Sequence, residues 1–386
     1  MEKILVFNGY YLPAKNYGGP LTSLQNVIET CSDEFEFYVI SRNHDYGSSV
    51  PFELKTNIWH KLGKANIMYI ENGYLDYSIK NMHLLLSSLK PSMIWFSGVL
   101  VPKVKIVGCV VAKRLGIPIL ISPRGEVNED HLKIKSIKKK AYLGLISLIG
   151  IFKGCFFHST CVDETKGINN YFNPTDNRLF CVTNVAVIKQ SQIIQYEKVK
   201  GVLRAIFHAR IHPIKGVDFV IKCLAQCKSM VVYDIYGPIE DKDYWVHCKG
   251  LAQQLPDNII VNYCGYLDSE NKASTIQSHD CLLFATSNEN YSHTIAESLA
   301  NSRPVIISKG TTPWDDLDGK AGFVIPLDSP AAWAERIDYL ASLDQKEFNE
   351  WIHGTSNYYD TSSIIQSAVS GHKSMFNSII ESQNDN

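Results

Sequence analysis

Short apolar runs recur along the chain, each about the length of a β-strand, and segments with helical periodicity separate them. None of the runs alternates between apolar and polar positions, which indicates strands buried on both faces. Such strands belong to parallel sheets covered by helices. The runs span residues 4–7, 37–40, 93–96, 119–121 and 155–157 in the first half, and 203–207, 231–236, 259–261, 281–284 and 305–307 in the second. The pattern predicts an α/β fold with two Rossmann-like, doubly wound domains.

The domain boundaries follow from where the pattern weakens. Residues 187–195 are polar, interrupted and poorly periodic, so a linker is predicted at 189–200 between domains at 1–188 and 201–355. Residues 356–386 are predicted to form a C-terminal helix that crosses back to the first domain and ends in a frayed tail. A length of 386 residues suits two domains, each with its own core.

Composition and charge indicate the class of protein and its compartment. Thirty-eight basic and 39 acidic residues leave a net charge of -1, so nothing in the overall balance favours nucleic acid. The ten cysteines form no CxxC pair, which favours reduced thiols over a disulfide framework. No leader pattern precedes the first strand and no run of 18 apolar residues occurs, so a cytoplasmic protein is expected.

The densest candidate chemistry lies in residues 288–297. Glu289 is predicted in a loop after the run at 281–284, and Glu297 lies eight positions on in a predicted helix. Two carboxylates placed this way can contact different parts of one elongated polar ligand. Backbone amides at the start of the helix, around Asn290, Tyr291 and Ser292, favour an anionic centre such as a diphosphate. The segment therefore indicates a nucleotide-sugar site.

A second candidate element follows the run at 203–207. Arg210 and Lys215 flank a loop at the predicted carboxyl end of that strand. A diphosphate leaving group requires fixed positive charge where its negative charge grows, and this pair supplies it without a metal. Two solvated basic residues in a turn would give the same pattern. Histidines and acids do not cluster at ligand spacing, so neither a metal nor another cofactor is expected.

Gly18 and Gly19 follow the first strand and precede an apolar-striped helix. Consecutive glycines allow a ligand to approach the backbone at a helix start, although an ordinary turn has the same sequence. The segment lacks the GxGxxG fingerprint, which argues against an NAD enzyme.

In this order and spacing, the elements resemble the retaining glycosyltransferases of family 4, which have the GT-B fold. The resemblance runs from the first strand to about Pro326 and is nearest to the bacterial, polysaccharide-type members called glycosyl transferases group 1. The matching pieces are Gly18-Gly19, residues 209–216, Glu289 and Glu297 as an E-x7-E motif, and residues 300–307 followed by Thr312-Pro313-Trp314. The resemblance implies an acceptor-side first domain and a second domain that binds the donor.

The resemblance also implies residue roles. Arg210 and Lys215 would bind the donor diphosphate, Glu289 would face the donor sugar, and Glu297 would hold the nucleotide ribose. The amides around Tyr291 and Ser292 would complete the phosphate site, although these two residues replace the usual Phe-Gly. The implied reaction transfers a sugar from a nucleotide-diphosphate donor to a glycan or lipid-linked acceptor with retention of configuration, in surface polysaccharide synthesis and without a metal.

Two residues are candidates on the acceptor side. Arg124 lies in a loop that borders the acceptor in the family, where it would bind an acidic acceptor or a phosphate, or else form a structural salt bridge. His293 opens the helix of the E-x7-E motif and is either an acceptor contact or an ordinary helix-face residue.

Five lysines lie among apolar residues between 131 and 140, namely Lys133, Lys135, Lys138, Lys139 and Lys140. A basic amphipathic helix that binds an anionic membrane fits this spacing, as does a solvated helix face. A lipid-linked acceptor would suit the first interpretation and a peripheral location on the inner face of the cytoplasmic membrane.

Two other functions remain open. A nucleotide-sugar epimerase or hydrolase of similar fold would share the diphosphate site without needing an acceptor. A degenerate glycosyltransferase could act as a scaffold in a polysaccharide assembly complex, although the complete set of Arg210, Lys215, Glu289 and Glu297 argues against loss of activity.

Overall fold

The computed structural model describes residues 1–15, 17–70, 78–100, 102–127, 136–186, 197–268 and 271–382. It divides into two compact units, Met1–Val185 with Ser367–Asn386, and Ala186–Gln366. Residues 189–196 of the predicted linker lie outside the described residues, as do residues 383–386 of the predicted frayed tail.

The N-terminal unit contains an eight-stranded sheet in the order β3-β4-β2-β1-β5-β6-β7-β8. The strands are β1 (Glu2–Phe7), β2 (Phe35–Arg42), β3 (Trp59–Leu62), β4 (Ala65–Ile70), β5 (Met93–Ser97), β6 (Ile119–Ser122), β7 (Phe156–Ser159) and β8 (Leu179–Cys181). Strand β3 is antiparallel to β4, and the other pairings are parallel. Residues 4–7 of β1 are fully buried, as expected for a strand covered on both faces.

The C-terminal unit contains a six-stranded parallel sheet in the order β11-β10-β9-β12-β13-β14. The strands are β9 (Val202–His208), β10 (Met230–Tyr236), β11 (Ile259–Gly265), β12 (Cys281–Phe284), β13 (Val305–Ser308) and β14 (Gly322–Ile325). All ten apolar runs contribute to the two sheets. The prediction of two Rossmann-like α/β domains is therefore confirmed.

Helices connect the strands. They are α1 (Gly19–Cys31), α2 (Ile79–Leu89), α3 (Pro102–Arg114), α4 (Ser136–Ile149), α5 (Val162–Phe172), α6 (Val217–Leu224), α7 (Lys242–Ala252), α8 (Lys272–Gln277), α9 (His293–Ala300), α10 (Pro330–Ser342), α11 (Gln345–Thr361) and α12 (Ser363–Glu381). From Ser367 onward, α12 belongs to the N-terminal unit. Phe376 of this helix packs edge-on against Phe35, with ring centroids 5.4 Å apart, and against Trp95 at 5.5 Å.

Within the described ranges, no helix has both the length and the apolar character needed to span a bilayer. The ten cysteines are free thiols, and Cys181 and Cys264 are exposed.

Candidate active site

The candidate donor residues lie at the carboxyl ends of the two central strands of the C-terminal sheet. Strand β9 pairs with β12 and with β10, so the chain leaves β9 in one direction and returns to its other side at β12. In open α/β sheets, ligands collect at such a point of reversal. Arg210 and Lys215 follow β9, and the segment from Glu289 to Ser292 follows β12.

The loops after β9 and β12 are joined closely. Thr286 Oγ1 and the Ser287 amide both donate to the Ile214 carbonyl, at 3.0 and 2.9 Å. Gly216 has a φ of 68°, and a Cβ at this position would overlap the Ala285 carbonyl oxygen. Only glycine combines this conformation with so close an approach, so Gly216 fixes the Lys215 loop against the Glu289 loop.

Lys215 and Glu289 form an ion pair between Nζ and Oε1. Their side chains are only 12% and 17% exposed. The Glu289 amide donates to the Thr311 carbonyl at 2.8 Å, which anchors the loop from the other side. The two residues that the sequence assigns to the diphosphate and the donor sugar are thus brought into direct contact.

The charge state of Lys215 is held between opposing effects. Burial, helped by the Arg210 guanidinium and opposed by Glu240, lowers its pKa to about 7. Direct contact with the Glu289 carboxylate also favours the charged form. When Lys215 is charged, little water screens its ammonium group from an incoming phosphate, because the side chain is buried.

Arg210 lies in a different environment. Its side chain is 52% exposed and forms an ion pair with Glu240, with Nη1 and Oε2 2.5 Å apart. Exposed pairs of this kind contribute at most about 1 kcal/mol to stability, so Arg210 can exchange Glu240 for a ligand at small cost. Sequence reasoning missed Glu240, which lies 30 residues further along the chain.

Glu297 is a buried residue of α9 with partners on two other elements. Its Oε1 lies 2.8 Å from Nζ of Lys272, and its Oε2 lies 3.4 Å from Nδ1 of His208. Burial, with contributions in the same direction from Lys272 and His279, lowers the pKa of His208 to about 3, so the ring is neutral. The neutral ring lies beside the Glu297 carboxylate, and its Nε2 forms a hydrogen bond of 3.1 Å with Ser298 Oγ.

His208 and Lys272 were both missed as candidate site residues. His208 immediately follows the run at 203–207, where ligands gather, so its position was a usable signal. Lys272 carried no such signal, because it reaches Glu297 from helix α8 across 25 residues of sequence.

The residues at the opening of α9 lie in different environments. The Tyr291 ring is buried against Trp314, with centroids 5.3 Å apart, and the Tyr291 carbonyl accepts a hydrogen bond from Trp314 Nε1. Its side chain is therefore part of the core, which leaves only its backbone amide for the predicted role. Asn290 is partly exposed in the preceding loop, and the partly exposed His293 begins the helix.

Ser292 precedes α9 in a left-handed conformation, with φ 67° and ψ 89°. Its Oγ accepts from the Ile295 amide at 3.4 Å and caps the helix. Serine here stands where the family usually has glycine, and the backbone adopts the conformation that glycine prefers.

The remaining candidates lie in the N-terminal unit. Gly18 caps α1 with a φ of 70°, and Gly19 is the first residue of that helix. Arg124 follows β6, also at positive φ (57°). Among the described residues of both units, no group of three or more histidines, cysteines or acids could hold a metal ion.

Part of the basic segment can be placed. Lys133 and Lys135 lie outside the described residues, and Lys138 and Lys139 belong to α4. Lys140 is exposed on the same helix.

Comparison with known proteins agrees with this architecture. Residues 203–342 match the family model described as glycosyl transferases group 1. No curated protein sequence matches the chain closely enough to count as a relative.

Solved structures share the fold over nearly the whole chain. A glycosyltransferase from Rickettsia africae superposes with a TM-score of 0.67 at 13% identity, over 98% of both chains. HepE from Anabaena, in complex with UDP and glucose, gives the same TM-score and identity over 98% of this chain and 100% of its own. The lipopolysaccharide outer core galactosyltransferase WaaB gives 0.63 at 15% identity, over 97% of this chain and 100% of its own.

The family match covers the C-terminal unit from β9 to the end of α10, including both loops of the candidate site. The structural matches cover both units. Residues 203–342 therefore match the family of glycosyl transferases group 1, and both units share the GT-B fold of the solved glycosyltransferases.

Proposed function

We propose that this protein transfers a hexose from a nucleotide-diphosphate-sugar to a glycan or lipid-linked acceptor with retention of anomeric configuration. We assign it to the synthesis of a surface polysaccharide. The observation that carries the proposal is the contact between Lys215 and Glu289, with Glu297 held separately by Lys272 and His208. This arrangement provides one charged pair for the sugar diphosphate and a second, independent carboxylate for the ribose.

The bond-breaking step follows from these charges. The bond between C1 of the donor sugar and the diphosphate oxygen breaks. The leaving diphosphate then binds Lys215, which separates from Glu289, and Arg210, which separates from Glu240. The two cations stabilise the negative charge where it grows, and the interaction with Lys215 is the stronger because its side chain is buried. Glu289, released from Lys215, accepts hydrogen bonds from the donor sugar hydroxyls.

The bond-forming step needs no protein nucleophile. The acceptor hydroxyl attacks C1 on the face that the diphosphate leaves, and its proton passes to a diphosphate oxygen. The new C1–O bond then has the configuration of the donor. No metal takes part in this scheme, since Arg210 and Lys215 provide the neutralising charge.

Uridine nucleotides are the first donors to test, because HepE forms complexes with UDP-glucose and with UDP. A thermal-shift screen of UDP-, GDP- and TDP-sugars should reveal a donor by stabilisation of the folded protein.

Lys215→Met should weaken donor binding by about 10- to 100-fold, since a charged hydrogen bond to phosphate is lost. Lys222→Met is the matched control, because Lys222 is an exposed lysine of α6 whose ion pair is with Asp218.

Arg210→Gln provides a second variant in case the loss of Lys215 disturbs the fold. Its side chain is exposed, so the variant should fold normally and still bind the donor more weakly. Equal donor affinity in the wild type, Lys215→Met and Arg210→Gln would contradict the proposed site.

Incubation with donor alone separates the other functions. Rapid epimerisation or hydrolysis without any acceptor would support an epimerase or hydrolase and overturn the transferase. A folded protein that binds no nucleotide sugar would favour a scaffold. Once an acceptor is found, the anomeric proton coupling of the product, measured by NMR, tests retention.

We also propose that the protein works at the inner face of the cytoplasmic membrane, where a lipid-linked acceptor would be presented. Support comes from α4, which combines exposed Lys140 with exposed Leu145, Leu148 and Ile149. Positive charge beside exposed leucines is the composition of a helix that lies on an anionic bilayer surface.

A further inference from the structure

Arg124 occupies a backbone position that the surrounding structure holds firmly. It has a φ of 57° and is followed by Gly125 at 83°. Oε1 of the buried Glu164 accepts from the Gly125 amide at 2.5 Å, while its Oε2 accepts from the amide and hydroxyl of Thr160 at 2.7 and 2.8 Å. A left-handed conformation is costly for arginine and persists where other contacts enforce it, often at ligand sites.

The guanidinium forms a hydrogen bond on one side, whereas the N–H groups on its other edge are buried without a partner in the described part of the chain. Its Nη1 donates to Asn184 Oδ1 at 2.8 Å, and its Cζ lies 5.3 Å from the centre of the Trp95 ring. Nε and Nη2 are shielded from water, and across the described ranges neither has a hydrogen-bond partner. These two N–H groups form the edge of arginine that binds a carboxylate or phosphate with two parallel hydrogen bonds.

The groups around Arg124 leave its charge without a direct partner on that edge. Burial lowers the pKa of Arg124 to about 10, against the opposing effect of Glu164, so it stays cationic at neutral pH. Burial raises the pKa of Tyr17 to about 12, so Tyr17 is neutral. His158 and His372 also face Arg124, and burial lowers both of their pKa values, which keeps them neutral. Both oxygens of Glu164 are already occupied by Gly125 and Thr160.

The position within the sheet favours a ligand. Strand β1 lies between β2 and β5, so the sheet order reverses beside it. Tyr17 belongs to the loop after β1, and Arg124 follows β6, one strand beyond β5. Ligands of open α/β sheets gather where the carboxyl ends of these strands meet. Burying a cation with two N–H groups that have no hydrogen-bond partner is unfavourable unless an anion binds to those groups.

We propose that the Nε–Nη2 edge of Arg124 binds an oxyanion of the acceptor, so that the acceptor is an acidic sugar or a phosphorylated one. The inference rests on the proposed transferase function and adds the chemical class of its second substrate. A carboxylate of a uronic acid and a phosphate offer the same pair of oxygens to the arginine fork.

Titration calorimetry with three probes tests the proposal. Methyl glucuronide carries a carboxylate, glucose 1-phosphate carries a phosphate, and methyl glucoside carries neither. The wild type should bind at least one of the anions at least tenfold more tightly than the neutral glucoside. A response to the glucuronide alone assigns a carboxylate, and a response to the phosphate alone assigns a phosphate.

Variants connect the preference to Arg124. Arg124→Gln should lose the preference, whereas Arg178→Gln should retain it. Arg178 is a suitable control, because it also lies over an aromatic ring in this unit, with Cζ 4.6 Å from the centre of Phe156, and also donates one hydrogen bond, to the Gly154 carbonyl. Asn184→Asp is a near-isosteric second variant that places a carboxylate beside Nη1 and should weaken anion binding even if Arg124→Gln fails to fold.

No preference for either anion in the wild type, or an unchanged preference in both Arg124→Gln and Asn184→Asp, would overturn the inference. Thermal stabilisation by the nucleotide-sugar donor separates this failure from failure of the proposed function. If the donor stabilises the protein and neither anion binds, only the acidic acceptor is wrong. If no donor binds, the transferase function on which the inference rests fails as well.

Discussion

Ser292 combines a favourable contact with an unfavourable backbone conformation. Its hydroxyl caps α9 by accepting from the Ile295 amide, which is worth about 1 kcal/mol relative to alanine. Its φ of 67° costs a residue with a Cβ about 1 to 2 kcal/mol. Glycine avoids that backbone cost and loses only a few tenths of a kcal/mol as a cap.

We therefore expect Ser292→Gly to raise the free energy of unfolding by about 0.5 to 1 kcal/mol, and Ser292→Ala to lower it by about 1 kcal/mol. Urea denaturation measures both changes. Ser329→Gly is the control, because Ser329 caps α10 at a φ of -123° without a side-chain cap bond and has no such strain to release. A loss of stability in Ser292→Gly would show that the hydroxyl matters more than the backbone conformation.

For single residues, the sequence predicts the loop or helix in which a residue lies better than it predicts which side chains that residue contacts. Glu289 lies in the loop and Glu297 in the helix, as predicted from the apolar run before them and the helical spacing after them. The contact between Lys215 and Glu289 spans 74 residues, and no local pattern encodes it. The resemblance to the family assigned Lys215 and Glu289 to the same nucleotide-sugar donor but gave no indication that they form an ion pair with each other.

Helix α4 shows how an element can carry a function that its individual residues do not. Leu143 and Ile146 are buried, while Leu145, Leu148 and Ile149 are exposed, with Leu148 at 86%. The sequence predicted a basic amphipathic helix from five lysines among apolar residues between 131 and 140. The exposed apolar residues one turn further along are the additional feature that a bilayer would require.

We expect a Leu148→Ser/Ile149→Ser variant to bind vesicles of mixed phosphatidylglycerol and phosphatidylcholine at least tenfold more weakly than the wild type, because about 25 cal/mol is lost per Å² of apolar surface that no longer enters the bilayer. Co-sedimentation measures the change, and donor binding should stay unchanged. Leu84→Ser removes an exposed leucine from α2 and serves as the control. Equal vesicle binding by all three proteins would remove α4 from the membrane proposal.

The strands that the sequence did not predict lie toward the sheet edges. Strands β3, β8 and β14 are terminal and only three or four residues long, and β3 is largely exposed. Strand β3 has one neighbour and no continuous apolar run, so the signal of burial on both faces is absent there, whereas β8 and β14 carry only very short apolar runs. Strand β4 was missed for another reason, since Asn66 interrupts its apolar residues.

At the scale of the whole molecule, each unit buries neutral histidine. His208 belongs to the C-terminal unit, and His158 and His372 pack edge to face in the N-terminal unit, with centroids 5.1 Å apart. His158 accepts from Ser122 Oγ through Nδ1 and donates through Nε2 to the Val182 carbonyl. The apolar runs predicted the two units, but they could not predict which histidines the fold would bury in the neutral form.

These histidines make both units sensitive to acid. Burial lowers the pKa of His372 to about 4, whereas an unfolded histidine titrates near 6.5. Between these values the unfolded chain binds a proton that the folded chain does not, so stability falls as the pH falls. The contribution is fully present above about pH 6.5 and is lost progressively down to about pH 4.

His372→Phe removes one of these protons and keeps a ring against His158 and Phe376. Between about pH 7 and pH 5, we expect the free energy of unfolding to fall by about 2 kcal/mol more in the wild type than in the variant. The reason is that the unfolded wild type binds one more proton over this range than its folded form does. Urea denaturation at a series of pH values gives the slopes. His247→Gln, at an exposed position of α7, should leave the slope of the wild type unchanged. If His372→Phe were equally acid-sensitive, then His372 would already bind its proton in the folded state, and the two rings facing Arg124 would not both be neutral.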